Sequence, residues 1–444
     1  MKKSLLAVIL AVMVVLSLLS GCGTQETAGT QETAASPAES VAQAPKAEEA
    51  DSGPKSITFW EESSQKEEAA KAVEMFQTKY PDIKVNLEIQ LYQDLDQKAL
   101  VALKAANGPD VIVQAFASNH SFTKQGLLTP LNDYMDKSGV KASDFFDRSL
   151  ELSTVDGKLY GLPYRNEGMA LMYNKGLFRE AGLDPEHPPE TWAEVIEYAQ
   201  KLTIDKNGDG KPDQYGYGLV GNNKGNVWFR MMPEVWNAGV NVMNEDMTKC
   251  LLNTPEAKEA VKYYTSLLLE YKVAPEGTLE NSAIELRNLF MNGTIAMYIT
   301  GPFDLPIITK DAPQVEIGIG LYPGKVKGQS HAALGGWVVE IPKNAKDPDT
   351  AWKFIEYFTS DEIQQFYSKS FPGRKSAWTA EKYQNEFSKM YLKQLEYTKN
   401  FQPLDFTPQA QDILFKEVQA VLSGIKDVDT AMDDVAAQID ALVK

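Results

Sequence analysis

The chain is poor in the residues that most often carry catalysis or cross-linking: it has two cysteines, Cys22 and Cys250, and three histidines, His120, His187 and His331, in 444 residues. Neither an HExxH pair nor a nucleophile-elbow GxSxG occurs, which removes the commonest signals of zinc peptidases and serine hydrolases. Positive charge is also short, with 44 lysines and arginines against 61 acids and a net charge of −17. Such a surface repels phosphate backbones and anionic lipid headgroups, so nucleic acid and a polybasic membrane contact are excluded as partners.

The one long uncharged run lies at the start. Met1-Lys2-Lys3 is followed by Ser4 to Gly21 without a charge, ending in Leu19-Ser20-Gly21-Cys22. Two lysines, a short apolar stretch and small residues before a cleavage point are the pattern of a secretory signal over residues 1–21. Leu-Ser-Gly-Cys resembles a bacterial lipobox, which implies cleavage before Cys22, a diacylglycerol on its thiol and a membrane anchor. An acylated Cys22 leaves Cys250 without a disulfide partner, so the fold must rest on its core. Loss of Lys2 and Lys3 with the signal would take the net charge from −17 to −19.

Residues 22–54 contain Ala, Glu, Gln, Thr, Ser and Pro in quantity, with GTQETA twice in succession from Gly23 to Ala34. Too little apolar surface is present to offset the entropy of ordering, and a disordered tether is expected. The remaining residues suffice for one large or two medium domains.

Past the tether, Lys55 to Trp60 alternates like a strand and is expected to give way to a polar loop at Glu61-Glu62-Ser63-Ser64. Ala69, Ala72, Val73, Phe76 and Tyr80 recur at helical spacing up to Pro81; Ile83, Val85, Leu87, Ile89 and Leu91 alternate as a second strand. A helix through Leu95, Leu100 and Leu103 and a buried strand at Asp110 to Val113 complete β-α-β-α-β, the signature of an α/β sheet with parallel crossovers. Ligands in such sheets collect at the carboxyl ends of strands, which points to Trp60, Glu61 and Glu62 and to Gln114 through Ser118. Adjacent carboxylates on extended chain face opposite ways, so Glu61 and Glu62 cannot flank one glycosidic bond.

Gly157 to Lys175, GKLYGLPYRNEGMALMYNK, mixes turn formers with Tyr160, Tyr164, Arg165, Asn166, Glu167 and Tyr173. It reads equally as a wall gripping a polar ring or as strand-turn-strand in a core. Thr191 is expected to cap a helix running to Leu202. Asp205, Asn207, Asp209, Lys211 and Asp213 then follow the spacing of a calcium loop with Gly210 at the sharp turn, while Gly216 stands where the bidentate glutamate belongs. A structural calcium ion and a bare turn are equally compatible with that loop; no other cofactor is expected. GYGLVG, Gly216 to Gly221, matches a dinucleotide fingerprint by letters only, without the strand before and helix after that it needs.

Trp228, Phe229, Trp236 and Asn237 make an aromatic and amide patch of the kind that stacks on pyranose faces, although core packing is the default for each tryptophan. Helices are expected from Glu256 to Tyr271 and from Ser282 to Met291. A strand from Thr294 to Ile299 ends in Gly301-Pro302-Phe303-Asp304, a ring beside a hydroxyl acceptor on a rigid turn. Gly335-Gly336-Trp337 repeats the idea, with glycines permitting close backbone approach next to an indole. Ala351, Trp352, Ile355 and Phe358 begin a helix expected to continue through Ile363 and Phe366.

Several local patterns together resemble one family: GPDVIV (Gly108 to Val113), GLLTPL (Gly126 to Leu131), DGKLYGLPY (Asp156 to Tyr164), MYNKGLF (Met172 to Phe178), TWAEVIEYAQKLT (Thr191 to Thr203), AMYITGPF (Ala296 to Phe303) and LGGWVVEIPKN (Leu334 to Asn344). Their order and spacing resemble the maltose-binding-like carbohydrate receptors of ABC transporters. The resemblance implies a type II periplasmic-binding-protein-like fold, two α/β lobes with a ligand cleft and hinge between them. The N-terminal lobe would be 55–163 plus 337–371 and the C-terminal lobe 164–336 plus 372–444. It further implies Trp60, Glu61, Phe116, Arg165, Trp236, Phe303, Asp304, Gly336, Trp337 and Arg374 as ligand-facing. By side-chain chemistry Trp236, Phe303 and Trp337 would stack on the ligand while Glu61, Asp304 and Arg165 meet its hydroxyls.

The expected function is capture of a sugar or short oligosaccharide by a monomeric, lipid-anchored, non-catalytic receptor that delivers it to permease subunits. A receptor for a polyol phosphate or peptide, or a surface carbohydrate-active enzyme, is the alternative. An anionic ligand calls for several converging cations, and the candidate positions offer one or two.

Overall fold

In the computed structural model, residues 55–443 other than 93, 368 and 369 are described. The expected signal, Cys22 and the tether lie outside the described residues.

Strand β1 (Lys55–Glu62) runs two residues beyond its expected end, because β2 (Ile83–Gln90) pairs with it in parallel as far as Glu62 opposite Gln90. The expected polar loop thus begins at Ser63. Ile57, Phe59 and Glu61 share one face of β1 and Trp60 and Glu62 the other. Helices Lys66–Lys79 and Leu95–Lys104 form the crossovers that lead to β2 and β3 (Val111–Ala115), and β3 lies parallel to β1 on its other side. β4 (Thr154–Val155) and β5 (Lys158–Leu159) form a hairpin closed by Asp156 and Gly157, both at positive φ as a two-residue turn demands.

The remaining strands are β6 (Leu162–Gly168), β7 (Ala170–Asn174), β8 (Tyr215–Gly218), β9 (Ile295–Thr300), β10 (Ile317–Gly320), β11 (Ala332–Glu340), β12 (Phe371–Pro372) and β13 (Thr398–Lys399). Seven strands make one sheet in the order β12-β6-β11-β3-β1-β2, with β13 added to the far end of β11. Four make a second sheet, β10-β7-β9-β8. Helices pack on both sheets, giving the two-lobe α/β arrangement.

Each sheet has its own core. One joins Ile57, Phe59, Phe76, Val113, Tyr164, Phe354, Phe358 and Tyr367; the other joins Met172, Trp192, Trp228, Trp236, Tyr298, Phe371, Leu414 and Met432. The chain changes core between β6 and β7, around Gly168, since all of β6 belongs to the first sheet. The lobe boundary expected after residue 163 lies within β6. β11 makes the return within one strand, its Leu334 in the second core and its Trp337 in the first. The third change falls between Tyr367 and Phe371.

Thr191 caps its helix with a full capping box to Glu194. The single helix expected from Ala351 to Phe366 is two, Pro348–Phe358 and Asp361–Tyr367. At the break, the Thr359 and Ser360 hydroxyls donate back to the Ile355 and Tyr357 carbonyls. The glycines of GYGLVG serve packing. A side chain at Gly216 would meet the Ala199 carbonyl at 2.1 Å and one at Gly221 the Thr278 carbonyl at 2.4 Å, which leaves no room for a pyrophosphate.

Candidate ligand cleft

The crossing strands β6 and β11 place Arg165 opposite Trp337, Asn166 opposite Gly336 and Glu167 opposite Gly335. Gly336 sits at φ 142°, and a Cβ there would fall 2.2 Å from the Arg165 carbonyl and 2.5 Å from the Phe116 ring. Only glycine lets the two backbones and the Phe116 ring come together at this point.

Along β6, Tyr164 and Arg165 point to opposite faces. Tyr164 enters the first core, where its hydroxyl donates to Glu61 Oε1 at 3.1 Å. Glu61 also accepts from its own neighbour's amide, Glu62 N at 2.9 Å, and from the Tyr367 hydroxyl. Burial, and then the charge of Glu62, pushes the Glu61 pKa up to about 8. Glu61, expected to meet a ligand hydroxyl, shares the core face of β1 with Ile57 and Phe59, and both of its oxygens are engaged within the protein.

Arg165 turns the other way. Its Nη1 lies 3.0 Å from Glu62 Oε1, its Nε 3.0 Å from Glu167 Oε1, and its guanidinium carbon 4.8 Å from the centre of the Trp337 ring. Burial alone would lower the guanidinium pKa; the carboxylates of Glu167 and Glu62 beside it outweigh that and raise it, so Arg165 is held as a cation. Trp337 packs in turn against Tyr92, ring centres 5.8 Å apart. Asp96 stands on the next helix and accepts from Ser118. Trp60, half-buried, donates its indole N–H to Glu88 at 2.7 Å.

From the second lobe, the Phe229 ring lies over Gly335, close enough that a Cβ there would approach it to 3.1 Å. Phe229 and Phe401 contact at 5.1 Å, and the Pro302–Asp304 turn packs against β6 with Phe303 half-buried. The two lobes therefore bring Trp337, Tyr92, Phe229 and Phe303 toward one strip of backbone that also carries Arg165 and Glu167.

Other expected positions serve the fold. Asp304 is buried, with Oδ1 taken by Arg287 at 3.0 Å and Oδ2 by the hydroxyls of Tyr298 and Thr300 at 2.8 and 2.6 Å, so it braces the end of β9. Trp236 is buried in the second core beside Phe401, and Phe116 is buried against Gly336. Arg374 donates to the Thr359 carbonyl and to Asp144 and lies over Phe145, a strut within the first lobe. Asp304, Trp236, Phe116 and Arg374, expected as ligand-facing, are thus engaged within the fold.

In the Asp205–Asp213 loop the oxygens point at the loop's own amides. Asp205 accepts from Gly208 and Gly210, Asn207 and Asp209 from the residues two further on, and Asp213 from Lys206 and the Asn207 side chain. Among the described residues no group of three or more acidic, histidine or cysteine side chains is placed to hold a metal ion. The loop folds as a set of Asx turns. A shallow depression lined by Pro130, Asn132, Asp133 and Lys158 lies apart from the residues above and gathers no convergent groups. No described helix is long and apolar enough to cross a membrane.

Comparison with known proteins accounts for this arrangement. Residues 60–365 match the family of bacterial extracellular solute-binding proteins, and the chain belongs to that family. It is 27% identical over 423 residues to the maltodextrin-binding protein of Bacillus subtilis, covering 88% of this chain and 91% of that one. It is 26% identical over 380 residues to the sn-glycerol-3-phosphate-binding periplasmic protein of Brucella melitensis, covering 77% and 82%. Among solved structures, an ABC transporter solute-binding protein from Thermotoga lettingae bound with α-D-tagatose superposes with a TM-score of 0.79 at 26% identity, over 88% of this chain and all of that one.

Proposed function

We propose that this extracellular solute-binding protein holds a sugar or short oligosaccharide between its lobes and passes it to the permease subunits of an ABC transporter. The observation that carries the reading is the pairing of Arg165 with the Trp337 face at the point where β11 passes from one core to the other. An indole offers an apolar plane to a pyranose ring and the adjacent polar groups suit its hydroxyls; Trp337 is 5% exposed, so a ring would meet it once the groups around it move apart. The maltodextrin-binding relative and the tagatose-bound structure support the choice of ligand class.

The glycerol-3-phosphate-binding relative favours a second reading, a polyol phosphate. Arg165 speaks against it, because Glu62 and Glu167 already neutralise that cation. Melting temperature measured across mono- and oligosaccharides and sn-glycerol 3-phosphate separates the two, since a ligand that binds only the folded state raises it. A rise with at least one sugar and none with the phosphate is expected; the reverse would replace the sugar with the phosphate.

We further propose an acyl anchor on Cys22, supported by the lipobox-like Leu19 to Cys22, with residues 22–54 as the tether. Mass spectrometry of the membrane-extracted protein would show the diacylglyceryl adduct, and a Cys22→Ala chain would leave the membrane fraction. The protein acts as a monomer and without catalysis in this reading. Calcium at the Asp205–Asp213 loop is an optional structural addition supported by its oxygen spacing. A chelator-reversible rise in melting temperature, absent in Asp205→Asn, would check it.

A further inference from the structure

In a chain with 61 acids against 44 lysines and arginines, a basic side chain readily finds a carboxylate. Arg148, His331 and Lys399 are gathered beside one another instead, and among the described residues none of the three is in an ion pair. Separate stretches of chain bring them together. Lys399 lies on β13, which runs parallel to the start of β11 with Lys399 opposite Ala333. His331 comes just before β11, and its Nδ1 lies 3.4 Å from the carbonyl of Tyr397, two residues ahead of Lys399. Asn237 clamps the His331 backbone, donating to its carbonyl and accepting from its amide, both at 3.0 Å. Arg148 belongs to the helix Asp147–Leu152. Asn400, the residue after Lys399, fastens that helix to β13: its Nδ2 donates to the Arg148 carbonyl at 3.0 Å and to Glu151 Oε2 at 3.1 Å.

Like charges fixed side by side repel. Burial and then Arg148 lower the Lys399 pKa; burial, then Lys399 and Arg148, lower that of His331. Glu151, the acid on the same helix, is taken by Asn400. Arg148 is exposed and Lys399 and His331 are half-buried, so the cluster is open to solvent. An anion taken from solution would turn the repulsion into attraction, meeting the paired N–H donors of a guanidinium and the point charge of an ammonium. Trp337 is six residues further along β11, about 20 Å at the rise of a strand, so the cluster is separate from the Arg165–Trp337 pairing.

We infer that Arg148, Lys399 and His331 form a site for a small doubly charged oxyanion, such as inorganic phosphate or sulfate, where the helix Asp147–Leu152 meets the β11–β13 pair. The site is additional to the ligand cleft and stands whichever solute the cleft takes. The helix packs on β6 of the first sheet, while Ala332 at the start of β11 lies in the second core. An oxyanion held between them would therefore brace the junction of the two lobes.

The test titrates inorganic phosphate, and separately sulfate, into the mature chain by calorimetry at ionic strength held constant with sodium chloride, and follows the melting temperature in the same buffers. Wild type is expected to show one saturable site and a melting temperature that rises as it fills. Arg148→Ala and Lys399→Gln each remove one cation and are expected to weaken the anion about tenfold or more, the worth of one charge-assisted hydrogen bond. In chloride alone Lys399→Gln is expected to melt at or above wild type, because repulsion is relieved, and this separates lost binding from lost folding. Phosphate and sulfate also raise melting temperatures by exclusion from protein surfaces, so the difference between wild type and variants decides. An equal rise in wild type and both variants without a calorimetric site would overturn the inference. So would a saturable site that both variants keep at wild-type affinity.

Discussion

Arg165 and Trp337 face each other across the β6–β11 register, with the guanidinium carbon 4.8 Å from the indole centre, at the place where the chain passes between its two cores. The same guanidinium binds Glu62 and Glu167, so the residue proposed to meet the ligand also holds two carboxylates of the fold.

Replacing Arg165 therefore does two things. Arg165→Ala leaves the buried Glu62 and the half-buried Glu167 without their cation, and breaking a buried pair in this way costs about 3–5 kcal/mol. Urea unfolding should show a loss of that order, and ligand affinity should fall with it. Undiminished stability would mean the pair contributes little; undiminished affinity would place Arg165 outside the site.

Gly336→Ala tests the close approach. The added Cβ has no space against the Arg165 carbonyl and the Phe116 ring, and φ 142° is strained for alanine. A loss of at least about 2 kcal/mol is expected, with a weaker effect for Gly335→Ala, where the nearest atom stands at 3.1 Å on a side chain. Equal effects at the two positions would contradict the geometry.

Trp236 separates core from platform. Its ring is 3% exposed and packs on Phe401, so Trp236→Ala should cost about 3–5 kcal/mol of stability. At a temperature where the variant remains folded its ligand affinity should stay within a few-fold of wild type. A selective loss of binding with unchanged stability would return Trp236 to the ligand site.

Buried carboxyls set the pH dependence. Burial holds Glu340 well above the usual range and pushes Glu234 up to about 8. Asn119 Nδ2 donates to Glu340 Oε1 at 2.7 Å, while Glu340 Oε2 and Asn119 Oδ1 have no partner among the described residues. A proton on Oε2 would pair those two atoms as a reciprocal acid–amide contact. For an acid whose folded pKa is raised, the folded chain binds the proton more tightly than the unfolded one. The contribution is complete below the ordinary glutamate value of 4.5 and is lost as pH rises toward about 8 for Glu234, and beyond the normal carboxyl range for Glu340. Glu340→Gln keeps the shape without the titration. Stability measured from pH 5 to 8 should fall less steeply in the variant than in wild type; parallel curves would show that Glu340 is already ionised in the folded state.

Much of the first lobe is legible in the sequence because its strands and helices keep clean periods: Ile83 through Ile89 alternate, and Ala69 to Phe76 repeat at helical spacing. The Gly335-Gly336-Trp337 crossing is visible as well, since paired glycines beside an indole mark a close approach of backbones. For Glu61 two sequence signals conflict. The tendency of ligands to gather at strand ends turns it outward, whereas its alternation with Ile57 and Phe59 assigns it to the core face, and the alternation prevails. For Asp304 the local hydroxyls of Tyr298 and Thr300 read equally as ligand surroundings, and its cation, Arg287, comes from a separate helix. Tyr92 escapes for another reason. It follows β2 in a turn, where no period applies, and only the fold brings Trp337 beside it.

The most direct measurement is a crystal structure of the mature protein with ligand carried through purification. A neutral sugar is expected between the lobes, one ring in contact with Trp337 and Tyr92 and its hydroxyls near Arg165 and Glu167. An anionic solute whose phosphate displaces Glu62 or Glu167 from Arg165, or a sugar bound away from Trp337, would contradict it.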